Sequence, residues 1–252
     1  MSHNPKTIAI IPARIGSDEV YAKVLVDIGG KPVIQHAYER AKESGVFDEI
    51  LIAADHERIT ESAEGFGAKT YLTKMQHICG TDRCAEAARE VFPGAKIVVN
   101  VQADEPFINP RMLPVVIEPL INEDSWQMVT LCCRCVDEKA KEFIFNPKVV
   151  KSEKTSRALY FSRSVIPFPR SDREIRYFQH IGVYAYRMED LQRYAEYGPS
   201  ELELAEELEQ LRALEMEMRV KAVETDLDYP RISIDTQEDI EKARALFNSE
   251  TT

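Results

Sequence analysis

Short apolar segments alternate with amphipathic segments through the first hundred residues, and this alternation limits the possible folds more than any other feature. Short strands separated by helices are typical of a mostly parallel sheet flanked by helices. We therefore predict an α/β fold. The predicted strands are 7–11, 49–54, 69–72 and 96–101, and the predicted helices are 32–45, 56–66 and 81–92.

The pattern changes from about residue 127. The segments "QMVTLCCRC", "RALYFSRSVIPF" and "QHIGVYAYRM" are rich in β-branched and aromatic residues, which favours antiparallel strands. Residues 200–220 read as one helix with a cap region at Pro199-Ser200, and residues 231–247 as a strand, an Asp-containing turn and a helix. Without repeats or a Gly/Ser linker, the chain is predicted to be a single domain, 1–252, with a β-rich insertion at about 127–200.

Composition excludes several classes of partner. The 252 residues carry a net charge of −11, which disfavours binding to nucleic acid or anionic membranes. No window approaches the ~18 apolar residues of a membrane span, and "MSHNPKT" lacks the apolar core of a signal peptide. The five cysteines show no disulfide framework, and "CCRC" at 132–135 has no second Cys/His pair at finger spacing. We expect a cytoplasmic protein.

Two acids follow predicted strands directly. Asp104 ends "VVNVQAD" and Asp235 ends "RISID". Carboxylates at the carboxyl edge of a sheet can hold Mg²⁺ that substrate phosphates also bind. The alternatives are a solvated or capping Asp104, and an Asp235 that caps the following helix with Glu238 completing a capping box.

Cations and a glycine lie near the same predicted edge. Arg14 and Lys23 flank the first loop, and Arg83 lies in the "CGTDR" turn. An arginine can grip a carboxylate or phosphate with two hydrogen bonds, and Gly80 allows close approach of the backbone to a ligand. The alternative for each of these cations, taken alone, is a solvated charge on the protein surface.

Two later segments have polar groups at regular spacing. Alternation in "FQHIGVYAYR" places His180 and Tyr184 on one face, either lining a ligand or facing water. Glu209, Gln210 and Arg212 fall within one helical turn, which usually indicates an exposed helix face.

The chain carries an ordered set of motifs: PAR…K, GGKP-x-I-x-H, GTDR, VNVQ-x-DEP, ALYFSRS-x-IP, HIGVYAY, LEQLR-x-LE and DT-x-ED. Taken together, from about residue 7 to 245, these motifs resemble those of the 3-deoxy-manno-octulosonate cytidylyltransferases. The resemblance implies a nucleotide-diphospho-sugar-transferase-like fold, a homodimer, CTP and Mg²⁺. It also implies a reaction that couples CTP to Kdo, giving CMP-Kdo and pyrophosphate for lipopolysaccharide synthesis.

The resemblance also implies roles for individual residues. Arg14 and Lys23 would contact the triphosphate and, with Asp104, carry catalysis; Gly80 would lie near the cytosine. Asp104 and Asp235 would bind Mg²⁺. The residues implied around the sugar acid are Arg83, Gln102, Arg163, His180, Tyr184, Glu209 and Gln210.

The first loop departs from the family pattern. That pattern usually reads P-A-R-x-x-S-x-R-L/F-P-G-K-P-L, whereas this chain reads PARIGSDEVYAKVL, with Glu19 replacing an arginine and Tyr21-Ala22 replacing Pro-Gly. A reversed charge beside a triphosphate changes an attraction into a repulsion. Three readings follow: CMP-Kdo synthesis with a modified loop, activation of a related acid (8-amino-Kdo or a phosphonate) by CTP, or non-catalytic nucleotide binding.

Overall fold

Two units make up the chain, one comprising Met1–Pro114 with Leu227–Thr252 and the other Val115–Asp226. The structure, a computed structural model, describes residues 6–16, 20–135, 142–230 and 232–250. Glu19, whose charge the sequence analysis singled out, lies outside the described residues. The single domain with an insertion at about 127–200 stays a prediction.

Parallel strands form the sheet of the first unit in the order β6–β1–β4–β5. The strands are β1 (Thr7–Ala13), β4 (Glu49–Ala54), β5 (Lys69–Leu72) and β6 (Ile97–Asn100). Each contains or overlaps a predicted strand. Strand β1 lies between β4 and β6 and is buried from Ile8 to Ala13, as expected for a central strand with both faces covered. The mostly parallel α/β fold is therefore confirmed.

Three helices connect these strands, each within a few residues of its predicted position. They are α1 (Val33–Glu43), α2 (Glu57–Gly65) and α3 (Gly80–Val91). Helix α1 ends before Gly45, whose φ of 67° is the left-handed conformation that glycine adopts readily after a helix. A short hairpin of β2 (Asp27–Ile28) and β3 (Lys31–Pro32) was not predicted.

The closing helix of the first unit, α8 (Gln237–Glu250), was predicted correctly, but the strand before it was not. Residues 232–235 form no strand. Instead, Ile234 donates its N–H to the carbonyl of Asp104 at 3.0 Å, and its side chain is buried in an apolar cluster. The buried members of this cluster are Ile28, Val33, Phe107, Ile234, Ile240 and Ala243. Tertiary packing, rather than a sheet, holds this segment.

In the second unit the predicted antiparallel strands are present. Strand β7 (Met128–Arg134) pairs antiparallel with β10 (Phe178–Arg187), and β8 (Lys148–Lys151) pairs antiparallel with β9 (Ala158–Ser162). A register shift between Ile181 and Tyr184 interrupts the pairing of β10. Strand β11 (Val220–Glu224), parallel to β7, was not predicted. Helix α4 (Met112–Asn122) contains the boundary between the units, and α5 (Met188–Tyr197) follows β10.

The single helix predicted over 200–220 is wrong. The segment forms two short helices, α6 (Glu201–Glu206) and α7 (Gln210–Glu215), because Glu207 adopts a left-handed conformation with φ 51°. Arg212 is fully buried, and its guanidinium donates two 2.7 Å hydrogen bonds to the carboxylate of Glu203. This buried ion pair holds the two helices against each other. The predicted start is confirmed, since Ser200 caps α6 with a capping box.

No helix among the described residues is both long enough and apolar enough to span a membrane.

Candidate active site

Lys23, Asp104 and Asp235 meet at one point in the first unit. Lys23 Nζ lies 2.8 Å from Oδ2 of Asp104 and 2.7 Å from Oδ1 of Asp235. The side chain of Lys23 is 11% exposed, whereas those of the two acids are 25% and 59% exposed. We call these three residues the lysine–carboxylate cluster. The fold thus brings together two acids and a cation to which the sequence analysis had assigned separate roles.

A tight turn delivers Lys23 to the cluster. The residue begins a single 3₁₀ turn, Lys23–Leu25, and Ala22 before it adopts a left-handed conformation with φ 55° and ψ 37°. Ala22 donates its N–H to the carbonyl of Ile15 at 2.8 Å, which closes the loop that follows β1. Val24 is 3% exposed, so this turn is anchored in the apolar interior of the unit.

The cap of α8 frees Asp235 for the cluster. Thr236 Oγ1 accepts a 3.2 Å hydrogen bond from the N–H of Asp239, and Asp239 Oδ2 accepts a 2.9 Å bond from the N–H of Thr236. This reciprocal pair is a capping box shifted by one residue from the predicted one. The alternative in which Asp235 caps the helix with Glu238 is therefore wrong. Asp104 lies in the turn after β6, and the next described helix begins only at Met112, so the capping alternative for it is wrong too.

The cluster shifts the acidity of its members and of one neighbour. Burial alone would lower the pKa of Lys23, but the charges and hydrogen bonds of Asp104 and Asp235 outweigh it, and the pKa is raised. Burial raises the pKa of Glu105 to about 8, with smaller contributions from Asp104 and Asp235. Oε2 of Glu105 is buried and has no hydrogen-bond partner among the described residues. Glu105 is therefore mostly protonated at pH 7.

The oxygens of Asp104 and Asp235 fit a magnesium ion of the kind that substrate phosphates complete. Both oxygens already converge on one cation, the ammonium of Lys23. Mg²⁺ is commonly held by one or two carboxylates together with phosphate oxygens and water. No group of three or more metal-binding side chains that could hold a metal ion occurs within the described part of the chain. The arrangement therefore suits a metal that arrives with a nucleotide better than a permanently caged one.

A second polar cluster surrounds Arg83. The guanidinium is 4% exposed, lies 3.4 Å from Oδ2 of Asp55, and donates a hydrogen bond to Thr73 Oγ1. Asp55 also accepts a 2.8 Å bond from the N–H of Ile15 through Oδ1. Burial lowers the pKa of Arg83, and the nearby charge of Arg14 lowers it further. Arg14 and Arg83 thus lie close enough to repel each other, with Asp55 as the compensating acid.

Asp55 was missed by the sequence analysis, although the signal was present. The residue directly follows the apolar strand "EILIAA", as Asp104 follows β6 after a few residues. An acid at the carboxyl end of a parallel strand was the criterion applied to Asp104 and Asp235. The same criterion identifies Asp55.

Gly80 begins α3 against the central strands. A Cβ at this position would lie 3.1 Å from Cγ of Pro12 and 3.6 Å from Nδ2 of Asn100, so the helix start is tightly packed. Asn100, which sequence analysis also missed, is 1% exposed and donates to Thr81 Oγ1 at 3.1 Å. Its Oδ1 accepts a long 3.5 Å bond from Nε2 of Gln102. Asn100 therefore links the start of α3 to the predicted ligand Gln102.

In the second unit, His180, Tyr184 and Gln210 form one buried network. Thr130 Oγ1 lies 2.8 Å from His180 Nε2 and donates to the carbonyl of Val183, so it accepts the hydrogen of Nε2. Nδ1 of His180 is left to accept from Gln210 Nε2 at 3.4 Å, and Gln210 Oε1 accepts from the hydroxyl of Tyr184 at 3.2 Å. Burial lowers the pKa of His180 to about 3, so the ring is neutral.

Two exposure readings for these segments are wrong. Strand β10 is buried on both faces rather than having one face in water. Gln210 and Arg212 are 1% and 0% exposed, so they do not form a solvated helix face. Both errors arise because tertiary packing buries these segments, and no local sequence pattern reveals that packing.

The remaining predicted sugar-acid residues lie apart in the chain. Arg163 follows β9, and its guanidinium donates to the carbonyl oxygens of Glu206 and Glu207 at 2.8 and 3.2 Å. Glu209 immediately precedes α7, and its carbonyl accepts from the Tyr194 hydroxyl at 2.9 Å. Arg83 and Gln102 belong to the first unit, and the other five belong to the second. The sugar-acid roles stay predictions.

Comparison with known proteins identifies the class. Residues 8–220 match the family described as cytidylyltransferase. The 3-deoxy-manno-octulosonate cytidylyltransferase of Chloroherpeton thalassium is 42% identical over 96% of this chain and 98% of its own length. The enzyme of that name from Geobacter sulfurreducens is 41% identical over 93% and 96%.

Solved structures agree with the sequence relatives. A structure of CMP:2-keto-3-deoxy-manno-octonic acid synthetase complexed with CTP aligns with a TM-score of 0.89 and 39% identity, covering 97% of this chain and 99% of that one. A 4-diphosphocytidyl-2C-methyl-D-erythritol synthase from Anaerococcus prevotii aligns at 0.63 with 16% identity over 97% and 99%, which shows the fold alone.

A parallel sheet with acids and cations at its carboxyl edge is what a nucleotide-transferring enzyme of this fold requires. The chain belongs to the cytidylyltransferase family and, within it, to the 3-deoxy-manno-octulosonate cytidylyltransferases.

Proposed function

We propose that this protein transfers CMP from CTP to the anomeric hydroxyl of Kdo and releases pyrophosphate, for lipopolysaccharide synthesis. The observation that carries the proposal is the convergence of Asp104 and Asp235 on one cation position. Relatives that bear the name of this activity and share about two fifths of its residues over nearly the whole chain support it.

The reaction requires the sugar hydroxyl to attack the α-phosphorus in line with the departing pyrophosphate. A bond forms between the anomeric oxygen and phosphorus, the bond from phosphorus to pyrophosphate breaks, and the hydroxyl proton passes to solvent. Such transfer depends mainly on positioning and on neutralisation of phosphate charge. The chain must therefore supply cations near the triphosphate and a fixed seat for each substrate.

The chain's own residues divide this work. Asp104 and Asp235 would hold Mg²⁺, which when bound acts as a Lewis acid that neutralises phosphate charge and polarises an oxygen. Arg14 and Lys23 would contact the triphosphate. The backbone at Gly80 would approach the cytosine, and the bond from Asn100 to Thr81 fixes the start of α3 beside it.

A direct assay tests the proposal. Purified protein with CTP, Kdo and Mg²⁺ should release pyrophosphate, and EDTA should stop the release. A panel containing 8-amino-Kdo and a phosphonate, run in parallel, identifies the acid that is activated. Release with another acid but not with Kdo would reassign the substrate, and folded protein that releases none with any acid would overturn the proposal in favour of nucleotide binding without catalysis.

We further propose a homodimer in the cytoplasm. Large apolar side chains are exposed in the second unit, with Phe143, Ile144, Phe145 and Phe168 between 53% and 81% exposed. The cysteines form no disulfide within the described part of the chain, which suits a reducing compartment. Sedimentation should show a dimer that Phe143→Ser with Phe145→Ser weakens, whereas Tyr197→Ser, at another exposed aromatic, leaves it intact. A wild-type monomer would contradict the proposal.

A further inference from the structure

We propose that Lys23 acts as an internal cation that occupies the metal position between Asp104 and Asp235, so that Lys23 and a divalent ion compete for the same two oxygens. Binding of the metal would then release the Lys23 ammonium to the phosphates of the nucleotide. This inference rests on the metal role proposed above for Asp104 and Asp235. It adds an exchange of cations, in which metal binding comes before the Lys23 ammonium moves to the nucleotide.

The contacts of Lys23 carry the argument. Its ammonium donates to Oδ2 of Asp104 and Oδ1 of Asp235, acids that lie 81 and 212 residues away along the chain. These two oxygens come from different segments and point at one centre, and that centre is taken by a positive charge. A metal ion held by the same two oxygens would lie ~2.0–2.1 Å from them, so its charge would repel an ammonium that stays 2.7–2.8 Å from the same atoms.

The charge balance explains why a cation is needed there before substrate arrives. Without Lys23, two carboxylates would face each other beside Glu105, in a protein of net charge −11. Like charges at one site repel, and the ammonium removes that repulsion while keeping the acids in position. The site is therefore held in a binding arrangement when metal is absent.

The side chain can leave without unfolding the turn. Val24 is 3% exposed and Ala22 is 6% exposed, so the backbone on either side of Lys23 is anchored. Four rotatable side-chain torsions lie between this backbone and the ammonium, and their rotation moves Nζ by several ångströms while the turn stays fixed. The released ammonium would then be available to an anion that accompanies the metal.

Metal binding in the absence of nucleotide tests the competition. In the Lys23→Met variant, Mn²⁺ titrated alone and followed by electron paramagnetic resonance should bind at least about tenfold more tightly than in the wild type, because the competing charge is gone. Lys31→Met is the matched control, since it removes the same charge from an exposed pair with Glu39. The control should leave Mn²⁺ affinity within about twofold of the wild type.

Nucleotide binding should change in the opposite direction. At saturating Mn²⁺, CTP should bind to Lys23→Met at least about tenfold more weakly, because one phosphate contact is lost. If Lys23 had a purely structural role, its substitution would weaken the binding of both Mn²⁺ and CTP or of neither. Unchanged or weaker binding of Mn²⁺ in a variant that circular dichroism shows to be folded would overturn the proposal.

The unmodified protein provides a second test that does not depend on a folded variant. Trace acetylation with mass spectrometry measures the reactivity of each lysine, and Mg²⁺ alone should increase the reactivity of Lys23 relative to Lys31. Equal reactivity with and without Mg²⁺ would overturn the exchange. Tighter Mn²⁺ binding in Lys23→Met, combined with no pyrophosphate release by the wild type, would overturn the proposed reaction while retaining this inference.

Discussion

Asp55 joins the Arg14 loop to Arg83 through its two carboxylate oxygens. Oδ1 accepts the N–H of Ile15 at 2.8 Å, and Oδ2 lies 3.4 Å from Nη2 of Arg83. The acid is 9% exposed and Arg83 is 4% exposed, so the pair is largely shielded from water. The side chain of Asp55 thus holds the backbone beside Arg14, a predicted triphosphate contact, and compensates the charge of Arg83, a predicted sugar-acid contact.

Two substitutions separate these two tasks. Asp55→Asn keeps an oxygen for Ile15 but removes the charge beside the buried Arg83, so the free energy of unfolding should fall by about 3–5 kcal/mol. Asp55→Ala also loses the bond to Ile15 and should in addition raise the KM for CTP, because Arg14 is no longer fixed. Urea unfolding and steady-state kinetics measure both effects. Equal KM values in the two variants would contradict the role in the Arg14 loop.

The two acids of the lysine–carboxylate cluster should both be required for turnover. Asp104→Asn and Asp235→Asn should each lower the rate of pyrophosphate release by at least about 100-fold, because each removes a charge that would help to neutralise the phosphates through the metal. Glu238→Gln removes an exposed charge three residues from Asp235 and serves as the control. Full activity in either Asp variant would place that acid outside the catalytic machinery.

The shifted capping box predicts which residue stabilises α8. Thr236→Ala should lower the free energy of unfolding by about 1 kcal/mol, because the helix loses its cap. Asp235→Ala loses only a half-exposed ion pair and should cost less than about 1 kcal/mol. Thermal or urea unfolding distinguishes them, and the reverse ranking would restore Asp235 as the cap.

Neutral His180 predicts a pH dependence of stability. Its pKa is lowered from 6.5 to about 3 by burial, so below pH 6.5 the unfolded chain binds a proton that the folded protein does not. The contribution of His180 to the free energy of unfolding should therefore fall as pH falls, by about 2 kcal/mol between pH 6.5 and 5. Urea unfolding of wild type and His180→Gln at both pH values gives this contribution as a difference.

Glu105 contributes with the opposite sign, because its folded pKa is raised to about 8 and its stabilisation is lost as pH rises. The comparison of wild type with His180→Gln cancels that contribution, since both proteins contain Glu105. The same pH slope in the two proteins would contradict a neutral, buried His180.

The sequence predicted what local patterns determine. Short apolar runs located the strands of the first unit, and apolar residues at helical spacing located its helices, since both patterns are visible within ten residues. The helix predicted over 200–220 failed because its break depends on Arg212 meeting Glu203, a tertiary contact that no local pattern reveals. The helix cap is Thr236 rather than the predicted Asp235 for a related reason, because Asp235 pairs with Lys23, which is distant in the sequence.

The candidate site was predicted unevenly. Motif order suggested Lys23, Asp104 and Asp235 individually, but only folding shows that one ammonium contacts both acids. Asn100 was missed because a buried amide in an apolar strand has no periodic signal. The network of His180 and Gln210 joins residues on a strand and a helix, and neither pattern alone indicates the pairing.

The left-handed turn at Ala22 has a consequence for how this loop can evolve. An alanine in that conformation costs roughly 1–2 kcal/mol relative to the right-handed one, a cost that glycine avoids. The turn keeps its shape with alanine because the bond to Ile15 and the buried Val24 impose it from outside. The conformation of residues 22–25 therefore depends on these two anchors and not on a glycine at position 22.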